Sequence, residues 1–450
     1  MNEKEKTSDI TKDGWIEIGF QSRITSLDER LISAHLGCKF EEVTTLGVTL
    51  PLYKQTICRV VLEEFLVDRG YITVGRYSWG ETRSIFVYET IEIDVDKSKD
   101  IPDYGYLFLR HGSLNPIIVE VQSYGQGNYR ISVFWEASKK FSGVKFIESL
   151  MTYASEHNIL RGKIITSHMK FVKVSSLHRW DSVILPADIT KEIRDNIELL
   201  INNVEVYRKN NLVFKRGLIL KGVPGTGKTM ILKTICNELK GTTVIWVTPG
   251  DLRDVNEVKQ LGNMARELSP SILMLEDLDL YGGHRELGNR AILGELMNQL
   301  DGLVENEFVI VIATTNRADE VEEALRNRPG RFDKVIDIAP PDKECRIRML
   351  DSFLVPTIEV TRREELIEAL SELTEGLTGA HIKELVNLAV ISAIDEKSLS
   401  ENQVPQLKAK HFKRNIKNVR GKDIKPTGFH SDSSEPIRPR TIMDDIFNDD

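Results

Sequence analysis

Gly222-Val223-Pro224-Gly225-Thr226-Gly227-Lys228-Thr229 is the stretch on which the reading of this 450-residue chain turns. It has the form G-x-x-x-x-G-K-[ST]. Its glycines let the backbone curl until successive N–H groups point inward, the arrangement that cradles phosphate oxygens. A lysine at the seventh position can reach the β- and γ-phosphates of a nucleoside triphosphate, and the Thr229 hydroxyl can ligate Mg²⁺. An apolar run, Arg216-Gly217-Leu218-Ile219-Leu220-Lys221, precedes the loop. A helical pattern from Thr229 and Met230 to about Leu239 follows it. Strand, loop and helix in that order are the context the pattern needs, because the helix then aims its positive N-terminus at the bound anion.

Outward from the loop, residues 176–340 alternate short apolar runs with helical stretches: RGLILKG, TTVIWVT, SILMLED, EFVIVIATTN and KVIDIA. Nearly continuous apolar strands separated by helices predict a parallel sheet covered on both faces. The run Ser271-Ile272-Leu273-Met274-Leu275 ends in Glu276-Asp277-Leu278-Asp279. One carboxylate at such a strand end can hold the Mg²⁺ shell, and a second can orient an attacking water.

With these residues in place the chain resembles an AAA ATPase. The resemblance implies an α/β P-loop NTPase core with a helical lid, binding ATP with Mg²⁺ and hydrolysing it. The family ends the acidic strand with Asp then Glu; here the order is inverted. By position Glu276 serves the metal beside Thr229 and Asp277 acts as base, although the shorter Asp leaves the base open between the two. The inverted pair is similar to that of the Bcs1 branch, without the membrane anchor of that translocase. Asn316, after Ala313-Thr314-Thr315, takes the place of the residue that holds the water. Arg326-Asn327-Arg328-Pro329-Gly330-Arg331 resembles the finger segment, whose Arg328 and Arg331 would reach nucleotide on a neighbouring subunit. Gly379 and Ala380 resemble the lid pair that stands in for a second sensor arginine. Trp180-Asp181-Ser182-Val183-Ile184 looks like the segment packed on adenine, with Val183 and Ile184 as apolar contacts; Trp180 reads equally as a base-packing residue or a core anchor. One family feature is missing: Val247–Pro270 carries no aromatic–aliphatic–glycine pore loop, and Leu261 and Met264 are expected to face the core.

Five regions follow: a charged N-terminus (1–12), an α+β N-terminal domain for substrate or partner (13–175), the ATPase core (176–340), an all-helical lid (341–420) and an acidic tail (421–450) expected to be disordered, with MDDIF as a docking motif. Within the first domain, ICRVVLEEFLVDRG (57–70) has helical spacing with Gly70 as its cap, and NPIIVEVQ and YRISVFWEA read as strands of a hairpin. His111, His157, His168 and His178 do not cluster. The net charge of −8 argues against nucleic acid and anionic membranes as default partners. Four scattered cysteines, Cys38, Cys58, Cys236 and Cys345, argue against a disulfide framework or zinc site and for a reducing compartment. No signal sequence or bilayer-length apolar run is visible, so the expectation is a cytoplasmic protein. Three function classes compete. They are a ring ATPase, hexameric by family likeness, that remodels a protein or complex; an ATP-gated assembly module with slow hydrolysis; and a DNA-processing motor, which the acidic balance disfavours.

Overall fold

The computed structural model describes residues 26–77, 86–112, 114–123, 129–212, 215–282, 292, 294–296, 298–299, 308–317, 332, 334–354, 359–360, 362–397 and 406–420. Two compact units part between Lys173 and Val174.

The first unit has the order α1 (Ser26–Leu36), β1 (Val43–Leu50), α2 (Leu52–Asp68), β2 (Ile72–Tyr77), β3 (Val87–Asp94), β4 (Lys97–His111), β5 (Leu114–Ser123), β6 (Tyr129–Glu136), α3 (Gly143–Glu156) and β7 (Ile164–Thr166). Strands β1, β6, β5, β4 and β2 lie side by side in that order, antiparallel, and β3 pairs with β4. The hairpin strands β5 and β6 register Val119 against Val133, which puts apolar positions of both on one buried face. Helix α2 begins at Leu52, five residues before the periodic stretch, because Pro51 can stand before a first turn that needs no N–H partner there. Gly70 follows it at φ +77°, the left-handed conformation that ends helices. Arg59 ties α2 to β4: its buried guanidinium donates to the Pro102 carbonyl at 2.7 Å and to Asp103 at 2.8 Å, and lies 4.4 Å above the Tyr129 ring. Burial nevertheless holds the Asp103 carboxyl above its ordinary pKa, with Arg59 pulling the other way.

The second unit contains the parallel sheet. Strands β12 (Lys334–Asp337), β8 (Lys215–Lys221), β11 (Val309–Thr315), β10 (Ser271–Leu275) and β9 (Thr243–Val247) run side by side in that order, every pair parallel. All residues of β9, β10 and β11 are buried, as the unbroken apolar runs require of a sheet covered on both faces. Helices α4 (Ala187–Asn202), α5 (Val204–Lys209), α6 (Lys228–Glu238) and α7 (Val255–Glu267) belong to this layer. The chain leaves β8, next to the edge strand β12, for β9 three strands away and returns strand by strand, so a crevice opens at the carboxyl ends beside β8.

Four helices form the lid: α8 (Lys343–Phe353), α9 (Arg363–Leu373), α10 (Gly379–Lys397) and α11 (Ala409–Arg420). They close on a core of Leu350, Leu370, Leu385 and Phe412, each fully buried. The lid is not wholly helical, because β13 (Glu359–Val360) pairs in parallel with β14 (Gln406–Leu407). Two-residue strands carry no periodicity for a sequence reading to detect. Leu261 and Met264 of α7 are buried at 3% and 2% exposure, facing the core as expected. Among the described residues no helix is long and apolar enough to cross a membrane. The hairpin turn at 124–128, most of the loop Leu280–Arg290 and the 421–450 tail lie outside the described residues.

Candidate active site

The glycine-rich loop leaves β8 and enters α6. Its ends are pinned by the sheet: Gly222 N–H donates to the Thr315 carbonyl at 3.2 Å, and Ile338 N–H donates to the Lys221 carbonyl at 2.7 Å. Two glycines are dictated by geometry. Gly227, the residue before α6, sits at φ +99° with open space where a side chain would be. Gly225 sits at φ +84°, and a Cβ there would fall 2.7 Å from Thr378 Oγ1 and 2.9 Å from the Ala380 Cβ. The Gly225 carbonyl accepts from the Ala380 N–H at 3.1 Å, so the lid helix touches the loop at this residue. Gly225→Ala combines backbone strain with a clash, and is expected to weaken nucleotide binding at least about tenfold while the sheet stays folded. Equilibrium titration with a fluorescent nucleotide, alongside circular dichroism, checks it; binding as tight as in the parent chain would contradict the contact.

Lys228 is buried at 6% exposure, and its ammonium donates to the carbonyls of Gly222 at 2.6 Å and Val223 at 3.0 Å. Burial lowers its pKa, while Asp277 and Asp279 act in the opposite sense. Thr226 Oγ1 donates to the Val223 carbonyl at 3.0 Å and holds the curl of the loop.

The two acids at the end of β10 take different partners. Glu276 Oε1 accepts from Thr229 Oγ1 at 2.8 Å, and its Oε2 accepts from the indole N–H of Trp246 on β9 at 3.1 Å. Asp277 turns away at φ +46°, a conformation that Asp tolerates better than most residues. Its Oδ1 accepts from Asn316 Nδ2 at 3.0 Å, and its backbone N–H donates to Thr314 Oγ1 at 3.0 Å. Asp279, nearly buried, accepts from Thr315 Oγ1 at 2.8 Å and from the Asn316 N–H at 3.0 Å, and so fixes the turn that carries Asn316. The Asp277 pKa is raised by burial first, then by the charges of Asp279 and Glu276; Lys228 and the Asn316 bond oppose the shift.

A cleft of about 590 Å³ lies over the loop, within the volume range of small-molecule sites. Val183, Ile184, Gly379 and Ala380 line it beside Met230, Asp277 and Asn316. Met349 and Phe353 of α8 widen its apolar wall, and His178 and Lys383 stand at its rim. The structure thus brings together the loop, the acids, Asn316, the apolar segment and the lid pair. Trp180 takes neither of its two readings: it is half-buried outside the cleft, its indole N–H donating to Glu198 at 2.7 Å with Arg194 5.8 Å over the ring. Arg328 and Arg331 lie outside the described residues. Trp246, His178, Met349 and Phe353 are additions that no local motif announced.

Residues 218–340 match the family model described as the ATPase family associated with various cellular activities (AAA). That segment is an AAA ATPase domain. The chain is 34% identical over 214 residues to the cell division cycle protein 48 homolog of Archaeoglobus fulgidus, a match covering 45% of this chain and 28% of that protein. It is 35% identical over 217 residues to the proteasome-activating nucleotidase of Saccharolobus solfataricus, covering 45% of this chain and 54% of the relative. The chain thus spans about half the length of these curated relatives or less. A solved structure described as the FIGL-1 AAA domain in complex with ADP aligns over 56% of this chain and 88% of its own, at 24% identity and a TM-score of 0.47. AAA ATPases in general use ATP with Mg²⁺ and hydrolyse it. The residues of this AAA module fit that pair: a left-handed loop open at Gly227, a buried ammonium beneath it, and a hydroxyl and a carboxylate already paired at Thr229 and Glu276.

Proposed function

We propose that this chain binds Mg–ATP in the cleft and hydrolyses it as a homo-oligomer, six subunits by family likeness. Turnover would be coupled to remodelling or disassembly of a protein or complex recognised by the first unit. The observation that carries the reading is the division of labour around Lys228: Glu276 on Thr229, and Asp277 on Asn316. The loop N–H groups and Lys228 bind the phosphates, while Val183, Ile184 and the lid pair Gly379 and Ala380 enclose the base. Thr229 and Glu276 hold the cation, which when bound offsets charge on the phosphate oxygens. Asn316 orients a water and Asp277 takes its proton. Arg328 and Arg331, donated by a neighbouring copy, stabilise charge on the transferring group. The work is assigned to the cytoplasm, with a protein client and neither membrane nor nucleic acid as partner.

The shared-site part of the proposal has its own test. ATP turnover per chain is expected to rise with protein concentration as subunits assemble, and Arg328→Ala is expected to lower it about a hundredfold or more while each chain still binds ATP. Mixing Arg328→Ala with Lys228→Ala chains should restore part of the turnover, since one supplies the finger and the other the pocket it completes. Turnover independent of concentration, with no complementation, would overturn the shared site.

One observation favours the slower alternative, an ATP-gated assembly module. Asp277 is a methylene shorter than the family's usual Glu, and its carboxylate is already committed to Asn316. ATP-driven assembly alongside turnover that stays slow with every partner would select that reading.

A further inference from the structure

We infer that Trp246 is a positioning residue for the cation site, its indole N–H setting the carboxylate plane of Glu276 so that the other oxygen faces Thr229. This rests on the nucleotide reading above and adds a residue to it.

The placement follows from strand alternation. β9 and β10 run parallel with Trp246 opposite Met274. Glu276 stands two residues beyond Met274, so the two side chains leave the same face, and Trp246 is the diagonal neighbour of Glu276 across the pair. That face looks onto α6: Cys236 Sγ of the helix lies 3.7 Å from Met274 Sδ. Thr229 occupies the first turn of the same helix. The three groups Thr229, Glu276 and Trp246 therefore meet where helix, strand end and neighbouring strand converge.

The chemistry of the contacts is one-directional. An indole N–H can donate and cannot accept, and Trp246 is 8% exposed, so this donor needs a partner inside the protein. Glu276 Oε2 supplies it at 3.1 Å, while Oε1 accepts from Thr229 Oγ1 at 2.8 Å. With a donor on each oxygen, the carboxylate plane is fixed between two points. The Thr229 oxygen keeps its lone pairs for a hard divalent cation. A Glu has one more rotatable bond than the Asp usual at this position, and the indole removes that extra freedom. Groups that orient a metal-holding carboxylate in this way typically govern affinity about 10–100-fold.

The test is a titration of full-length chain with a fluorescent ATP analogue, first in chelator and then with rising Mg²⁺. In Trp246→Phe, affinity in chelator is expected to stay within about twofold of the parent chain. The Mg²⁺ concentration that half-saturates the metal-dependent change should rise about tenfold. In a Glu276→Gln background the Trp246→Phe effect should shrink to within about twofold. Should the Phe variant fail to fold, benzothienylalanine at 246 keeps the ring shape and removes only the donor, and is expected to give the same rise. An unchanged Mg²⁺ midpoint, an effect that persists without the Glu276 carboxylate, or an equal loss of affinity in chelator would each overturn the inference. Failure of the parent chain to take any nucleotide would overturn the nucleotide reading itself, and is read from the first titration alone.

Discussion

Lys228→Ala is expected to weaken Mg–ATP binding at least about a hundredfold and to bring steady ATP turnover to background. The side chain is buried beneath the loop with its ammonium on the Gly222 and Val223 carbonyls, so a small swing of its end carries it to phosphate oxygens without unfolding anything. Each charge-assisted bond it makes to phosphate is worth about 1.5–3 kcal/mol. Two such bonds lost correspond to about two to four decades in Kd. Burial lowers its pKa, yet Asp277 and Asp279 oppose that shift, an arrangement that suits a cation waiting for an anion. Calorimetric titration of parent and variant, with melting temperatures as a control on folding, measures the effect. An alanine variant that binds Mg–ATP within a few-fold of the parent would remove Lys228 from the site.

Asp277→Asn should do something different: leave ATP binding intact and slow hydrolysis about 10²–10⁴-fold. The amide can still meet Asn316 and keeps the left-handed turn, since Asn tolerates that backbone as Asp does. It cannot take a proton from water. A raised pKa has a consequence for pH as well. As a base Asp277 would work only when ionised, and burial, Asp279 and Glu276 all hold its proton on to higher pH than an ordinary carboxyl. Turnover in the parent chain should therefore fall on acidification earlier than a free aspartate would dictate, and that limb should be absent from the residual rate of Asp277→Asn. Single-turnover assays across pH at saturating Mg–ATP check both statements. If Asp277→Asn kept full rate while Glu276→Gln lost hydrolysis but still bound Mg–ATP, the two acids would have to exchange roles.

The parts of the site that could be read from sequence are those built from contiguous residues. The loop Gly222–Thr229 and the acids after Leu275 announce themselves because backbone curl and strand end are local events. Asn316 and the lid pair Gly379 and Ala380 came from family likeness, and the cleft gathers them from two separate elements. Trp246 was invisible for a different reason. TTVIWVT reads as one more core strand, and its tryptophan gains meaning only from the register that sets it opposite Met274 and diagonal to Glu276. Asp279 was quoted with its neighbours, but its service to Thr315 and Asn316 depends on β10 and β11 lying side by side. Trp180 shows the reverse error: a large aromatic beside Val183 and Ile184 invites a base-stacking role, yet Glu198 and Arg194 on α4 claim its ring. In the first unit, the 15-residue β4 escaped notice since Pro102 and charged residues interrupt its apolar pattern.

Photolabelling of the full chain with 8-azido-ATP, followed by peptide mapping, tests the seat of the nucleotide most directly. Adduct is expected on the segments that enclose the cleft, 178–185, 349–353 and 379–383, and excess ATP should suppress it. Label placed elsewhere, or label indifferent to competing ATP, would contradict a base held between the Val183–Ile184 segment and the lid.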